Sequence, residues 1–130
     1  MASVADLMVR DVLTVEPSDT IGEAAEKMTQ HGVGAVVVSD FGRMIGIFTE
    51  RDLMRAVAGR VHSSEARVRE WMTADPLTAT AEMDVEDAAQ VMLEHNFRHL
   101  PIVDENGAVI GLVSLRRVVA ATQSAAPNAA

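Results

Sequence analysis

The residues best suited to binding chemistry form a short polar group that follows an apolar run near the middle of the chain. In the segment Gly-Ile-Phe-Thr-Glu-Arg-Asp, Thr49 stands where a strand is expected to become a helix, and Asp52 follows one helical turn later. That spacing places both side chains on one helix face. The Thr49 hydroxyl, the next N–H groups and the positive helix end would face an anion such as a phosphate, which Arg51 could approach. Thr49 and Asp52 also suit a helix N-terminus without any ligand, because threonine is a good N-cap and the helix dipole favours an early aspartate.

An altered copy of this group lies near the end of the chain. Ser114 keeps the hydroxyl, Arg116 corresponds to Arg51, and Arg117 stands in the place of Asp52. A guanidinium has only hydrogen-bond donors, so this copy can attract phosphate but cannot accept hydrogen bonds from sugar hydroxyls. The two copies therefore differ in the chemistry that they offer to a ligand.

The two copies belong to an internal repeat. Met8 recurs as Met72 at an offset of 64 residues, and after one additional residue in the second turn Gly46 recurs as Gly111 at an offset of 65. A register kept over most of a 50-residue unit predicts two units of one fold. We place repeat 1 at residues 1–60, repeat 2 at 61–123, and a disordered tail rich in Ala, Pro and Asn at 124–130.

Each repeat has the pattern of a strand, a helix, two strands and a second helix, preceded by a short helical lead-in. Apolar side chains between residues 21 and 28 follow the spacing of one helix face, and Thr20 with Glu23 predicts a capping box at its start. Asp84 and Asp87 occupy the matching positions of repeat 2. The later predicted strands are 35–38, 45–48 and 109–113, and the second helices are 50–58 and 115–122.

Composition excludes several classes of function. The 130 residues include no cysteine, so disulfides, thiolate metal sites and a cysteine nucleophile are excluded, and no other metal-ligand spacing is evident. The net charge of −8 argues against nucleic-acid binding. No apolar run approaches the roughly 20 residues that span a bilayer, and the first residues do not resemble a signal peptide, so we expect a cytoplasmic location. No catalytic motif is present, and we expect neither enzymatic activity nor a catalytic cofactor.

The repeated segments resemble the cystathionine-β-synthase (CBS) domain. The resemblance rests on GIFTERDL at 46–53, GLVSLRRV at 111–118, FRHLPIVDENGAVIGLVS at 97–114, and the openings LMVRDVLTV and WMTADPLTA. It covers about residues 3–120 in both repeats and implies a tandem CBS pair, or Bateman module. The fold class that it implies is α/β (α+β), with two βαββα repeats packed through their sheets about a pseudo-two-fold axis.

In the CBS family two clefts between the repeats bind adenosyl ligands. By this resemblance Asp52 accepts from the ribose hydroxyls, while Thr49 and Arg51 face the phosphates. The resemblance assigns the rest of this cleft to Met72, Pro76, Leu77, Phe97, Arg98 and His99. The apolar members of this set are as readily explained by core packing, and Arg98 with His99 by an interface salt bridge. The second, weaker cleft is assigned to Leu13, Val33, Gly34, Ser114 and Arg117. Because Arg117 cannot accept from ribose hydroxyls, the resemblance implies one competent cleft per chain.

Two functions remain open on the sequence. The first is a regulatory module that binds AMP, ADP, ATP or S-adenosylmethionine and signals to an unidentified partner protein by conformational change. The second is a non-catalytic structural or dimerisation module with vestigial clefts. In either case we expect a homodimer, because the second helices carry more apolar side chains than one small core needs. These side chains are Leu53, Met54, Val57, Val118 and Val119. We also expect fold stability to survive the loss of Asp52 or Arg117.

Overall fold

The computed structural model describes residues 2–125, which form helices and strands in the predicted order. The chain divides into two compact units. The first unit contains the two long strands of repeat 1, and the second unit contains those of repeat 2. The first unit is Leu13–Pro76, and the second combines Met1–Val12 with Leu77–Ala130. The predicted tail comprises residues 124–130. Residues 124 and 125 belong to the last helix, and residues 126–130 lie outside the described residues.

The first unit is built on a four-stranded sheet in the order β1-β2-β3-β4. β1 runs parallel to β2, whereas β3 is antiparallel to both β2 and β4. The bounds are β1 Thr14–Val15, α1 Ile21–His31, β2 Ala35–Asp40, β3 Arg43–Thr49, α2 Glu50–Ala58, α3 Val68–Trp71 and β4 Thr73–Ala74. The buried core includes Ile21, Ala24 and Met28, so the predicted apolar face of the first helix is confirmed.

The second unit repeats this plan with a three-stranded sheet in the order β5-β6-β7. β5 is parallel to β6, and β6 is antiparallel to β7. A 3₁₀ turn at Val4–Asp6 precedes β1 in the chain, and the other bounds are β5 Ala79–Thr80, α4 Val85–His95, β6 His99–Val103, β7 Val109–Ser114 and α5 Leu115–Ala125. The predicted βαββα pattern is therefore confirmed in both repeats, within a mixed α/β fold.

Each lead-in segment packs into the unit that contains the other repeat's central strands. Met8 lies against Gly111, and Met72 lies against Gly46. A Cβ atom at Gly46 would come within 2.7 Å of the Met72 sulfur, and one at Gly111 would overlap the Met8 sulfur. At Gly46 a Cβ atom would also lie 2.7 Å from the Thr73 carbonyl oxygen, which is backbone, so a side chain there would have to displace a strand. At Gly111 the Met8 side chain would have to shift. The boundary between the repeats near residue 60 remains a prediction from the sequence. The chain passes from one compact unit to the other after Val12 and after Pro76.

The first helices of the two repeats begin differently. Thr20 accepts the Glu23 N–H at 3.1 Å, and the Glu23 carboxylate accepts the Thr20 N–H at 2.8 Å, which confirms the predicted capping box. Asp84 is the N-cap of α4 but makes no side-chain capping hydrogen bond. Both helices end on a left-handed residue, Gly32 with φ 64° and Asn96 with φ 57°.

Candidate functional site

The candidate site lies at the start of α2, where β3 turns directly into a helix. Thr49 is the last residue of β3 and the N-cap of α2, with extended backbone angles (φ −123°, ψ 170°). The Glu50 N–H donates to the Gly34 carbonyl at 3.0 Å, which ties the first turn of the helix to the segment before β2. Gly34 was assigned to the second cleft, and within the first unit it contacts this helix start.

Asp52 is held by a reciprocal pair of contacts with Thr49. Its Oδ2 accepts the Thr49 N–H at 2.9 Å and the Thr49 hydroxyl at 3.1 Å, while its own N–H donates to Thr49 Oγ1 at 3.3 Å. The residue is only 3% exposed, and it is the buried charged residue of the described chain. The carboxylate is therefore fixed in orientation at the positive end of α2.

This geometry corrects one expectation from the sequence. We expected Asp52 at a cleft surface, where its removal would leave fold stability intact. Its burial and its bonds to Thr49 make it part of the helix start, because a lost capping carboxylate leaves donors without their acceptor. The capping function and a binding function are compatible, since a carboxylate offers about four lone-pair directions.

A second contact to Asp52 comes from Arg55, which the sequence analysis did not identify. Arg55 Nη1 donates to Asp52 Oδ1 at 3.1 Å, and the Arg55 side chain is 58% exposed. Its guanidinium carbon lies 5.8 Å from the centre of the Trp71 ring, within the range of a cation–π contact. The spacing of Asp52 and Arg55 was visible in the sequence, because residues three apart on a helix are neighbours, whereas the contact with Trp71 depends on the fold.

The start of α5 has the same backbone role and different side-chain chemistry. Ser114 ends β7, and its hydroxyl accepts the Arg117 N–H at 3.2 Å. Arg117 Nη1 donates to the Leu7 carbonyl at 3.2 Å, so the guanidinium is directed to the lead-in segment of the second unit. The position that holds a fixed carboxylate in α2 therefore holds a cation bound to backbone in α5.

The other residues assigned to the first cleft are divided between the units. Met72 and Pro76 are half-buried in the first unit, and Met72 packs on its core at Gly46. Arg51 is exposed in the first turn of α2. The second unit contains Leu77, Phe97, Arg98 and His99.

Within the second unit these four residues occupy distinct environments. Phe97 packs on the core, and its ring lies 5.7 Å from the His95 ring. Arg98 is exposed, and its carbonyl accepts the Leu115 N–H at 2.8 Å. His99 is half-buried in β6, whereas Leu77 is exposed.

Two further residues of the second cleft pack on the core of the first unit. Leu13 and Val33 are half-buried against its apolar cluster, and the Leu13 carbonyl accepts the Val37 N–H at 3.0 Å. Their contacts are those of core residues, which was the alternative interpretation for the apolar members of the first cleft.

Neither a metal site nor a membrane-spanning helix is found between residues 2 and 125. No cluster of three or more His, Asp or Glu side chains in this range is arranged to hold a metal ion. The same range contains no helix with the length and apolar character needed to cross a bilayer. His31 and His95 each contact a backbone carbonyl one helical turn earlier, at 2.9 Å.

Comparison with known proteins shows the family of the chain. The CBS domain matches residues 4–59 and again residues 68–124. The CBS domain-containing protein YhcV of Bacillus subtilis is 40% identical over 115 residues, which are 88% of this chain and 81% of YhcV. The chain therefore belongs to the CBS domain family, as a tandem pair, and the predicted resemblance is confirmed.

Two similar solved structures contain adenosyl compounds. The CBS domain pair of protein MJ0100, in complex with 5′-methylthioadenosine and S-adenosyl-L-methionine, is 25% identical with a TM-score of 0.88, covering 96% of this chain and 98% of that one. CBSX2 of Arabidopsis thaliana, in complex with AMP, is 27% identical with a TM-score of 0.78, covering 98% of this chain and 100% of that one. Two proteins that share this fold are thus seen in complex with adenosyl compounds.

Proposed function

We propose that the chain is a regulatory module that binds one adenosyl ligand at the start of α2 and catalyses no reaction. The observation that carries the proposal is the Asp52 carboxylate, which is buried and held in orientation by Thr49. MJ0100 and CBSX2, which bind adenosyl compounds, support the ligand class. The module would act in the cytoplasm and pass the ligand signal to a partner protein by conformational change.

The chemistry of α2 suits the two polar parts of a nucleotide. A fixed carboxylate accepts hydrogen bonds from vicinal ribose hydroxyls, and such charge-assisted bonds are the stronger class. Phosphate favours the N–H groups and the positive dipole at a helix start, where the Thr49 hydroxyl also lies. Exposed Arg51 adds a positive charge in the same helical turn.

The start of α5 lacks the acceptor that a ribose needs. Arg117 has donors only, and it is bonded to the Leu7 carbonyl. We therefore propose one competent site per chain. The contributions of Leu77, Phe97, Arg98 and His99 to a base pocket, and the weaker second cleft, stay predictions from the sequence.

A calorimetric panel of AMP, ATP and S-adenosylmethionine tests the proposal, since these ligands share the adenosine that Asp52 would read. Asp52→Ala should weaken binding by about one to two decades, the value of one charge-assisted hydrogen bond. Arg117→Ala serves as the matched control and should change the affinity little. Equal affinity of wild type and Asp52→Ala would place the ligand elsewhere.

The alternative function, a dimerisation module with empty clefts, is favoured by a separate observation. Met54 and Val57 lie on α2 with 67% and 65% of their surfaces exposed, and adjacent exposed apolar side chains are typical of interfaces. The expectation for the equivalent helix α5 is partly wrong, because Val118 is fully buried in its own unit. Binding of none of the three ligands would favour this alternative.

We also propose that the chain forms a homodimer through the α2 surface of Met54 and Val57. Light scattering at micromolar concentration should return twice the mass of one chain. Changing Met54 and Val57 together to glutamate should return the single mass, because buried charges at an interface are unfavourable. A wild-type monomer would contradict the homodimer without affecting the ligand proposal.

A further inference from the structure

The contact between Arg55 and Asp52 occupies the carboxylate that the proposed function assigns to the ribose. Asp52 Oδ2 already accepts two bonds from Thr49, so Oδ1 is the oxygen with remaining capacity. Arg55 Nη1 lies 3.1 Å from that Oδ1. A ribose hydroxyl that donates to Oδ1 must share it with a guanidinium or displace it.

The surroundings of Arg55 allow it to leave. Its side chain is 58% exposed, whereas the Asp52 side chain is 4% exposed, so the arginine is the partner with solvent space to move into. The Trp71 ring, 5.8 Å from the guanidinium carbon, provides a second favourable contact that does not depend on Asp52. Partly exposed ion pairs contribute little free energy, so replacing the Arg55–Asp52 contact by a contact with a ligand costs little.

We propose that Arg55 is an affinity-determining residue that competes with the ribose hydroxyls for Asp52 Oδ1. This inference rests on the proposed function and adds a residue to it. Arg55 lowers the affinity for every ligand that presents a ribose and leaves the affinity for nucleosides without those hydroxyls unchanged. It acts through Asp52 and contributes no contact to the ligand itself.

The test uses nucleosides without a phosphate. The loss of the Arg55 charge then cannot change the affinity through an interaction with a ligand phosphate. Adenosine presents both ribose hydroxyls, and 2′,3′-dideoxyadenosine presents neither. Arg55→Met keeps an unbranched side chain without the guanidinium. It should bind adenosine about two- to fivefold more tightly than wild type, the range expected for loss of one partly exposed ion pair. The affinity for 2′,3′-dideoxyadenosine should not increase.

The salt dependence of adenosine affinity is a second measurement. A purely structural role of Arg55 would not alter it. Raising the salt concentration from about 0.1 M to about 1 M shortens the Debye length from roughly 10 Å to roughly 3 Å and screens the Arg55–Asp52 pair. The affinity of wild type for adenosine should therefore increase from low to high salt. The affinity of Arg55→Met for adenosine should increase by a smaller factor over the same range. The variant measures any general salt effect on nucleoside binding.

Arg43→Met is the matched control, since it removes the same charge from the same unit. Arg43 begins β3 and Thr49 ends it, so the two are about 20 Å apart along an extended strand. This variant should bind adenosine as wild type does.

Equal adenosine affinities and equal salt responses of wild type and Arg55→Met would overturn the competition and leave the proposed function standing. An equal gain for both nucleosides would also overturn it, because the gain would not involve the ribose hydroxyls. If neither wild type nor Arg55→Met binds adenosine or AMP at millimolar concentration, the proposed function fails and the competition fails with it.

Discussion

The starts of α2 and α5 are equivalent positions of the two repeats, yet they differ in what they can bind. In α2 a threonine and a buried aspartate bond each other, and the carboxylate lies at the positive end of the helix. In α5 a serine hydroxyl accepts the Arg117 N–H, and the arginine side chain bonds the Leu7 carbonyl. The two helix starts thus present a hydrogen-bond acceptor in one repeat and hydrogen-bond donors in the other.

The difference arises from side chains and not from the backbone. α2 follows directly on β3, and α5 follows directly on β7. The first N–H of each helix donates to the segment before an earlier strand, Glu50 to Gly34 and Leu115 to Arg98. The two repeats therefore share the geometry of the helix start, while the equivalent position holds Asp52 in α2 and Arg117 in α5. The predictions below act on that position and its partners.

The largest effect is expected from Asp52→Ala. The substitution removes the acceptor of the Thr49 N–H and hydroxyl and of Arg55, and it should lower the free energy of unfolding by about 1–3 kcal/mol. Arg117→Ala should lower it by less than about 1 kcal/mol, because the Leu7 carbonyl loses one exposed donor. Urea denaturation followed by circular dichroism measures both. Equal losses would mean that the two helix starts are energetically alike.

A smaller loss is expected from removing the cap hydroxyls. Thr49→Val should cost about 1–2 kcal/mol, because Thr49 Oγ1 both accepts the Asp52 N–H and donates to Asp52 Oδ2. Ser114→Ala should cost about 0.5–1 kcal/mol, since the Ser114 hydroxyl caps without a carboxylate partner. Thr49→Ser keeps the hydroxyl and should remain close to wild type in the same denaturation experiment. A larger loss for Ser114→Ala would contradict this ranking.

Placing an acid at position 117 in α5 should make the two helix starts more alike. Arg117→Asp gives Ser114 the reciprocal partner that Thr49 has, and it should raise the free energy of unfolding by about 0.3–1 kcal/mol. Arg116→Asp is the control, since it places the same charge in the first turn without the capping spacing. Thermal denaturation should rank Arg117→Asp above Arg116→Asp. A net loss for Arg117→Asp would show that the bond to the Leu7 carbonyl outweighs the capping box.

The smallest effect concerns the first helix of repeat 1 and its dependence on pH. The bonds from the Thr20 backbone N–H and then from the Thr20 hydroxyl lower the pKa of Glu23 below its ordinary value of 4.5. Burial opposes this shift, and the charge of Arg67 adds to it. The ionised cap therefore stabilises the fold above about pH 4.5, and this contribution is lost as the pH falls through the lowered pKa. Glu23→Gln should be less stable than wild type at pH 7, and the gap should narrow at pH 3. A gap of constant size would refute the assignment.

Much of the fold was predictable because local signals and the repeat agree. The predicted helix at 50–58 is α2 as observed, and the apolar spacing of Ile21, Ala24 and Met28 identified the buried face of α1. The short strand β4 was not predicted, since two residues carry no periodicity and it forms only by pairing with β3. The packing of Met8 on Gly111 is likewise a long-range contact that spacing cannot reveal.

The candidate site was predictable in its residue types and less so in its energetics. The threonine and aspartate one turn apart identified the helix start, and the change to arginine identified the asymmetry. The burial of Asp52 depends on the side chains packed around it, so the sequence placed it at an exposed cleft. Arg55 was missed because an exposed arginine three residues from an aspartate is common on helices, and its position near Trp71 requires the folded first unit.

Binding stoichiometry tests the central claim, which is that the start of α2 binds an adenosyl ligand and the start of α5 does not. Titration calorimetry with AMP should give one site per wild-type chain. Asp52→Asn keeps the volume of the side chain and removes its charge, and it should lose most of this binding, while Arg117→Asn should keep one site of unchanged affinity. Two equal sites in wild type, or binding that survives Asp52→Asn and is lost in Arg117→Asn, would contradict the account.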